Sequence, residues 1–328
     1  MSARQATPRI LIVGAGWAAG LHARLLAKHH REVDLYHWSR RAGPAQALAA
    51  KHGGRCIGGE WTDAVADERI TAVFITTPPH THREIALAAL ATGKDAIVEK
   101  PAFLDMAEFD AVERAVADSG RQLLVAENYL YKPLLGAIRR VVRSGALGQV
   151  RFVSIDAVKR QVATGWRADP ARAGGGALFE SGIHWVAMLD GIGLTIRSAR
   201  AFFPDAPGGH ERSVVFVAEY EEGATGVLTH SWEIPALLRG VRLSRIYGTR
   251  SSLLFESNGL FLLRGHRHLS LPGLSDMLGY RAMLRDFVGA LATGREPKFT
   301  LADARRCIAM IQDVYMEDAP PKRGQEQP

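Results

Sequence analysis

The chain of 328 residues, 47% hydrophobic and 23% charged, has the composition of a globular protein long enough for two domains and a sizeable core. No apolar run nears the ~20 residues that cross a bilayer, and the net charge of +7 is spread over pairs such as Arg40-Arg41, Arg139-Arg140 and Arg305-Arg306 with no nucleic-acid motif beside them, so neither membrane nor nucleic acid is an expected partner. Cys56 and Cys307 are the two cysteines, and residues 1–8 hold no apolar signal segment, which predicts a reducing, cytoplasmic setting.

In chain order, Ile10 to Val13 read as a strand buried on both faces. Gly14 and Gly16 then allow a tight turn with close backbone approach to a pyrophosphate, and Ala19 is the third small position, where helix meets strand. The helix from Trp17 would aim its N-terminal N–H groups, with Ala18 beside them, at that anion. Strands are predicted at 9–13, 33–38, 72–76, 95–98 and 122–126, with helices at 17–29, 43–51, 82–92 and 106–118. This alternation is that of a Rossmann-type, doubly wound parallel sheet over residues 1–125.

After Gly145 the pattern changes. Strands are predicted at 150–162, 197–203, 213–220, 224–232, 239–247, 251–256, 259–263 and 267–271, with turns at Pro207-Gly-Gly and Ser257-Asn-Gly. They describe an open-faced, mainly antiparallel sheet over 126–317, with helices 178–190 and 276–292 on one face and another helix at 301–315. Residues 318–328, with three prolines and little apolar content, are predicted to be a disordered tail. A bare second face of such a sheet predicts a homodimer or homotetramer.

Several residues invite chemistry. The second strand ends at Ser39-Arg40-Arg41, where a fold of this type reads the adenosine ribose; a hydroxyl and guanidiniums without a carboxylate favour NADP, with NAD as the alternative. Thr76, Thr77 and Pro78 open a stiff loop on the nicotinamide path, where Thr81 is placed to cap the next helix. His80 and His82 lie in that loop without a third ligand, so no metal is expected. Glu99, Lys100 and Pro101 end the fourth strand in the crevice where parallel sheets bind ligands. Glu180 and His184 are four apart, on one helical face. Tyr129 and Lys159 are candidate substrate contacts, and Lys132, Lys159 and Arg167 together hint at an anionic substrate.

Taken together, Gly14-x-Gly16-x-x-Ala19, Thr77-Pro78-Pro79-x-x-His82, Glu99-Lys100-Pro101, Gly165-Trp-Arg-x-Asp-Pro170 and Gly174-Gly-Gly-Ala-Leu-x-Glu180-x-Gly182-x-His184 resemble the Gfo/Idh/MocA oxidoreductases, over nearly the whole chain. The resemblance implies hydride transfer between NAD(P) and a carbon bearing oxygen in a sugar or polyol. It places the catalytic lysine on Lys100, and the acid/base pair on Glu180 and His184. It also implies cofactor contacts from Thr76, Thr77, Pro78, His82, Glu99, Lys100, Asn128, Trp166 and Arg167. Three positions depart from the family pattern: Glu180 replaces an aspartate, and Ala187 and Leu130 stand where an aspartate and an arginine are common. Reduction of an imine on the same fold, and a non-catalytic nucleotide sensor, are the competing readings.

Overall fold

A computed structural model describes residues 7–29, 32–204, 211–236, 240–265, 268–274 and 276–317. The turn expected at Pro207-Gly-Gly and the tail 318–328 lie outside these residues. The chain divides into two units, one comprising residues up to Glu127 together with Tyr280–Arg305, the other Asn128–Gly279 together with residues from Arg306 onward.

In the first unit β1 (Arg9–Val13), α1 (Trp17–Leu26), β2 (Asp34–Trp38), α2 (Ala42–His52), β3 (Arg55–Cys56), α3 (Trp61–Ala66), β4 (Ala72–Ile75), α4 (His82–Ala91), β5 (Asp95–Glu99), α5 (Met106–Ser119) and β6 (Leu123–Ala126) follow one another. The six strands form one parallel sheet in the order β3-β2-β1-β4-β5-β6. Ile10 to Val13 and Val73 to Ile75 have no exposed surface, as an apolar run covered on both faces requires. The strand order reverses beside β1, so the ligand crevice of such a sheet opens past the C-terminal ends of β1 and its neighbours. Local chemistry sets the helix ends. Before α5, Asp105 accepts the Glu108 N–H at 2.8 Å while Glu108 accepts the Leu104 N–H at 2.8 Å, and left-handed Gly120 closes the helix.

The second unit begins with α6 (Pro133–Arg143), whose Leu134, Leu135 and Ile138 are buried. It continues through β7 (Val150–Val158), a one-turn helix α7 (Pro170–Ala173), a π-helical turn over Leu178–Gly182, and α8 (Ile183–Asp190). Next come β8 (Ile196–Phe202), β9 (Ser213–Tyr220), β10 (Thr225–Ser231), β11 (Leu243–Gly248), β12 (Ser252–Glu256), β13 (Leu262–Arg264) and β14 (His268–Ser270). These form one sheet in the order β14-β13-β12-β11-β7-β10-β9-β8, antiparallel except where β7 meets β10. Alternation decides its faces. Val153, Ile155, Ala157, Phe216, Leu228, Ile246 and Phe255 are buried on the inner face, where Tyr220 donates its hydroxyl to the Leu189 carbonyl of α8. On the outer face Phe152 and Tyr247, directly opposite in register, are 60% and 43% exposed.

The helix expected at 276–292 on the second sheet is α9 (Tyr280–Thr293), and it belongs to the first unit. Its Tyr280 ring meets His22 of α1 edge-on at 5.8 Å. The final helix, α10 (Leu301–Glu317), carries residues of both units. No helix among the described residues is long and apolar enough to cross a membrane.

Candidate functional site

In the first unit the site starts at the β1–α1 turn. Gly14 has φ +119°, and a Cβ there would stand 2.7 Å from the Thr76 hydroxyl oxygen, so only glycine fits. Thr76 in turn donates to the Val13 carbonyl at 2.9 Å, joining the ends of β1 and β4. A Cβ at Gly16 would meet nothing within 4 Å, Gly16 caps α1 without a side-chain hydrogen bond, and Trp17 is 74% exposed. An open cradle in front of uncapped N–H groups fits a dinucleotide pyrophosphate. Ala19 is fully buried, as its close-packing role requires.

At the end of β2 the structure alters the expected division of labour. Ser39 donates its hydroxyl to the Arg41 carbonyl at 2.5 Å and accepts the Ala45 N–H at 3.1 Å, anchoring the start of α2. Its proton is therefore committed, and Arg40 beside it is exposed. In the next loop Thr81 occupies the cap position of α4 but makes no cap bond. Its hydroxyl turns back to the Pro78 carbonyl and the Thr77 hydroxyl oxygen. His82, expected on the cofactor path, has no exposed surface. Its Nδ1 faces the Pro101 and Ala102 carbonyls at 3.0 and 3.1 Å and its Nε2 faces the Thr77 carbonyl at 2.8 Å. Burial lowers its pKa. His82 is thus a clasp between the loop and the segment after Lys100. Among the described residues no group of three or more His, Cys, Asp or Glu side chains could hold a metal.

Lys100 follows the C-terminal end of β5, partly exposed, with a cis peptide bond to Pro101. The preceding Glu99 accepts the Lys100 N–H at 3.1 Å through one carboxylate oxygen, and its other oxygen lies 2.5 Å from Nε2 of buried His22. Nothing in sequence spacing pointed to His22, 77 positions away. Lys100 is therefore held before and after its own position, by Glu99 and by the His82 clasp on Pro101.

The second unit gathers a different set. Glu180, 4% exposed in the π-helical turn, accepts a hydrogen bond from Arg167 Nε at 2.9 Å. The Arg167 guanidinium also lies 4.4 Å from the Trp166 ring centre, so these two expected cofactor contacts form one cluster with Glu180. His184, half-buried on α8, stacks on Tyr129 with ring centres 4.4 Å apart and planes within 11°. Beneath that stack Lys132 Nζ sits 3.9 Å from the Tyr129 ring centre. Lys132 is 1% exposed and donates to the Ser257 carbonyl at 3.3 Å, so it is a buried support and is not presented to an anionic substrate. Asn128, expected at the cofactor, is 2% exposed and donates to the Leu278 carbonyl at 2.7 Å. Both polar residues bridge to distant backbone, which local sequence does not record. Lys159 is exposed just beyond β7, with its N–H bonded to the Ser231 carbonyl.

The helix bearing Glu180 and His184 is anchored by Glu211, which the sequence reading passed over. Buried Glu211 accepts the Leu178 N–H at 2.7 Å and the Tyr315 hydroxyl at 2.8 Å. Gly176 permits this, because a Cβ there would collide with the Glu211 carbonyl and carboxylate.

Comparison with known proteins bears on the family and the fold. Residues 8–127 match a family model described as the oxidoreductase family, NAD-binding Rossmann fold, and residues 136–254 match that of the GFO/IDH/MocA C-terminal domain. Levoglucosan dehydrogenase of Pseudarthrobacter phenanthrenivorans is 27% identical over 54% of this chain and 49% of its own. Inositol 2-dehydrogenase of Rhizobium meliloti is 29% identical over 45% and 44%. The chain spans about half the length of these curated relatives. The crystal structure of GenD2 from gentamicin A biosynthesis, in complex with NAD, superposes with a TM-score of 0.82 at 25% identity, covering 97% of this chain and 96% of its own. Two models of one family together with a shared fold cover most of the chain, and the chain belongs to the Gfo/Idh/MocA oxidoreductases.

Proposed function

We propose that this protein is an NAD(P)-dependent dehydrogenase or reductase of a sugar- or polyol-like alcohol or ketone, with NADP preferred. The observation that carries the reading is Lys100, fixed at the C-terminal end of a central parallel strand in the unit that bears the glycine cradle. Gly14, Gly16, Trp17 and Arg40 would hold the dinucleotide, which supplies the hydride acceptor or donor when bound. Alcohol oxidation also needs a base for the hydroxyl proton, and ketone reduction needs the corresponding acid. Lys100 and His184 are the two groups assigned to that proton. The Tyr129 stack fixes the plane of the His184 ring, and Arg167 fixes the Glu180 carboxylate on the same helix.

NADP preference rests on exposed Arg40 and on the absence of a carboxylate at the end of β2. Ser39→Asp is expected to weaken NADP more than NAD by placing a negative charge against the 2′-phosphate; titration of both cofactors checks it, and equal losses refute the preference. The activity itself is tested on a panel of myo-inositol, levoglucosan and UDP-N-acetylglucosamine with either cofactor, followed at the reduced-nicotinamide absorbance. Lys100→Met and His184→Ala should each lower turnover about 10²–10⁴-fold with cofactor affinity nearly unchanged. Turnover within a few-fold of wild type in both variants overturns the assignment and favours a nucleotide sensor.

A further inference from the structure

His22 is a fully buried histidine on α1 that a purely apolar helix face would not need. Its ring is wedged against Phe74 of β4, at 4.5 Å between centres, and Tyr280 of α9, at 5.8 Å. Its Nδ1 is buried and has no hydrogen-bond partner, while Nε2 lies 2.5 Å from a Glu99 oxygen. An N–H buried without an acceptor is far costlier than a bare lone pair, so the proton belongs on Nε2, donated to Glu99. The second Glu99 oxygen takes the Lys100 N–H. Both oxygens of a largely buried carboxyl group therefore accept hydrogen bonds, the arrangement that an ionised carboxylate wants.

We propose that His22 is a positioning residue for the proton-transfer step: by donating to Glu99 it keeps a fixed carboxylate, and a fixed backbone hydrogen bond, beside Lys100. The inference rests on Lys100 acting as the acid/base group. Burial alone would push the Glu99 carboxyl up; the His22 hydrogen bond, with the Lys100 charge and N–H, outweighs it and holds the group below its ordinary value. The charged or titratable groups that bear on Glu99 are His22 from α1, Lys100 next to it and His82 from α4, and Tyr280 of α9 packs on His22. Removing His22 leaves burial in command, so Glu99 takes up a proton at a higher pH.

The full chain is used for the test, with two readouts. In infrared spectra titrated from about pH 9 to about pH 5, His22→Leu should gain the carbonyl stretch of a protonated carboxyl group at a higher pH than wild type, and His22→Leu/Glu99→Gln should lose that band. With levoglucosan or myo-inositol as probe, the ratio of His22→Leu to wild-type kcat should fall roughly tenfold over the same range in step with the band. His22→Gln, whose amide can donate to Glu99, should restore the wild-type profile. Should His22→Leu fail to fold, isosteric Glu99→Gln should lower kcat about tenfold with KM for either cofactor within about threefold. A pH-independent loss in His22→Leu, an unshifted infrared band, or wild-type turnover in Glu99→Gln overturns the proposal. Wild-type turnover in Lys100→Met removes the functional reading instead, and the infrared titration still reports on the His22–Glu99 pair.

Discussion

Gly176→Ala tests whether the Glu211 anchor organises the helix that carries Glu180 and His184. The added Cβ collides with the Glu211 backbone carbonyl, which cannot swing aside, and with its carboxylate, which the Leu178 N–H and the Tyr315 hydroxyl hold in place. Overpacking of this kind costs about 1–3 kcal/mol. Moving Glu211 also weakens its bonds from the Leu178 N–H and the Tyr315 hydroxyl, each of which is worth about 1.5–3 kcal/mol to a charged acceptor. Because these losses share one cause they do not simply add, and a total of about 3–5 kcal/mol is expected. For a unit of this size that corresponds to a fall in Tm of roughly 6–20 °C. Gly136→Ala in α6 is the control, since its Cβ would meet only the Arg140 side chain, at 3.8 Å, and should stabilise by up to about 1 kcal/mol. Thermal unfolding followed by circular dichroism measures both. Tyr315→Phe should destabilise wild type but add little to Gly176→Ala, because both act through Glu211. A Gly176→Ala protein melting within about 2 °C of wild type would refute the anchor.

Two further outcomes can be measured on the same protein. His230 on β10 donates from Nδ1 to the Ala157 carbonyl and accepts the Ser181 hydroxyl at Nε2, and burial lowers its pKa to about 4. The unfolded chain therefore binds the proton first, so stability is level above the ordinary value of 6.5 and falls as pH drops toward 4, by up to about 3 kcal/mol. Urea titrations across that range should show the slope in wild type and a flatter one in His230→Asn; equal slopes would refute it. On the outer sheet face, Phe152 and Tyr247 form an exposed aromatic pair, so the chain is expected to self-associate through it. Sedimentation should show a dimer or tetramer at micromolar concentration that Phe152→Glu weakens, and a wild-type monomer would contradict it.

Local pattern made much of this molecule legible. The buried run Ile10–Val13, the glycines that follow and the recurring β/α spacing marked the first sheet, because burial on two faces and a tight turn each demand particular residues at particular spacings. The strands of the second sheet were legible from their alternation, β9 at its full extent of Ser213–Tyr220. Helix α6 is equally periodic, with Leu134, Leu135 and Ile138 buried on one face, but no helix was predicted there. The π-helical turn at Leu178–Gly182 left no periodic signature, since one extra residue in a turn resembles an ordinary helix.

Sequence by itself determined most strands of both sheets, where the glycine turn lies, and that Lys100 follows the end of a central strand, since each follows from chemistry within a few neighbouring residues. Tertiary structure alone decided which polar side chains are exposed and which are internal struts. Asn128, Lys132 and His82 were expected at a ligand and are buried against carbonyls, while His22 and Glu211, which no motif marked, hold the Lys100 segment and the His184 helix. Tertiary structure also placed α9 with the first unit, through α1. The reason is physical: periodicity records that a residue faces inward, but a buried polar group is stable only with a partner, and that partner is chosen by the fold from positions tens of residues away.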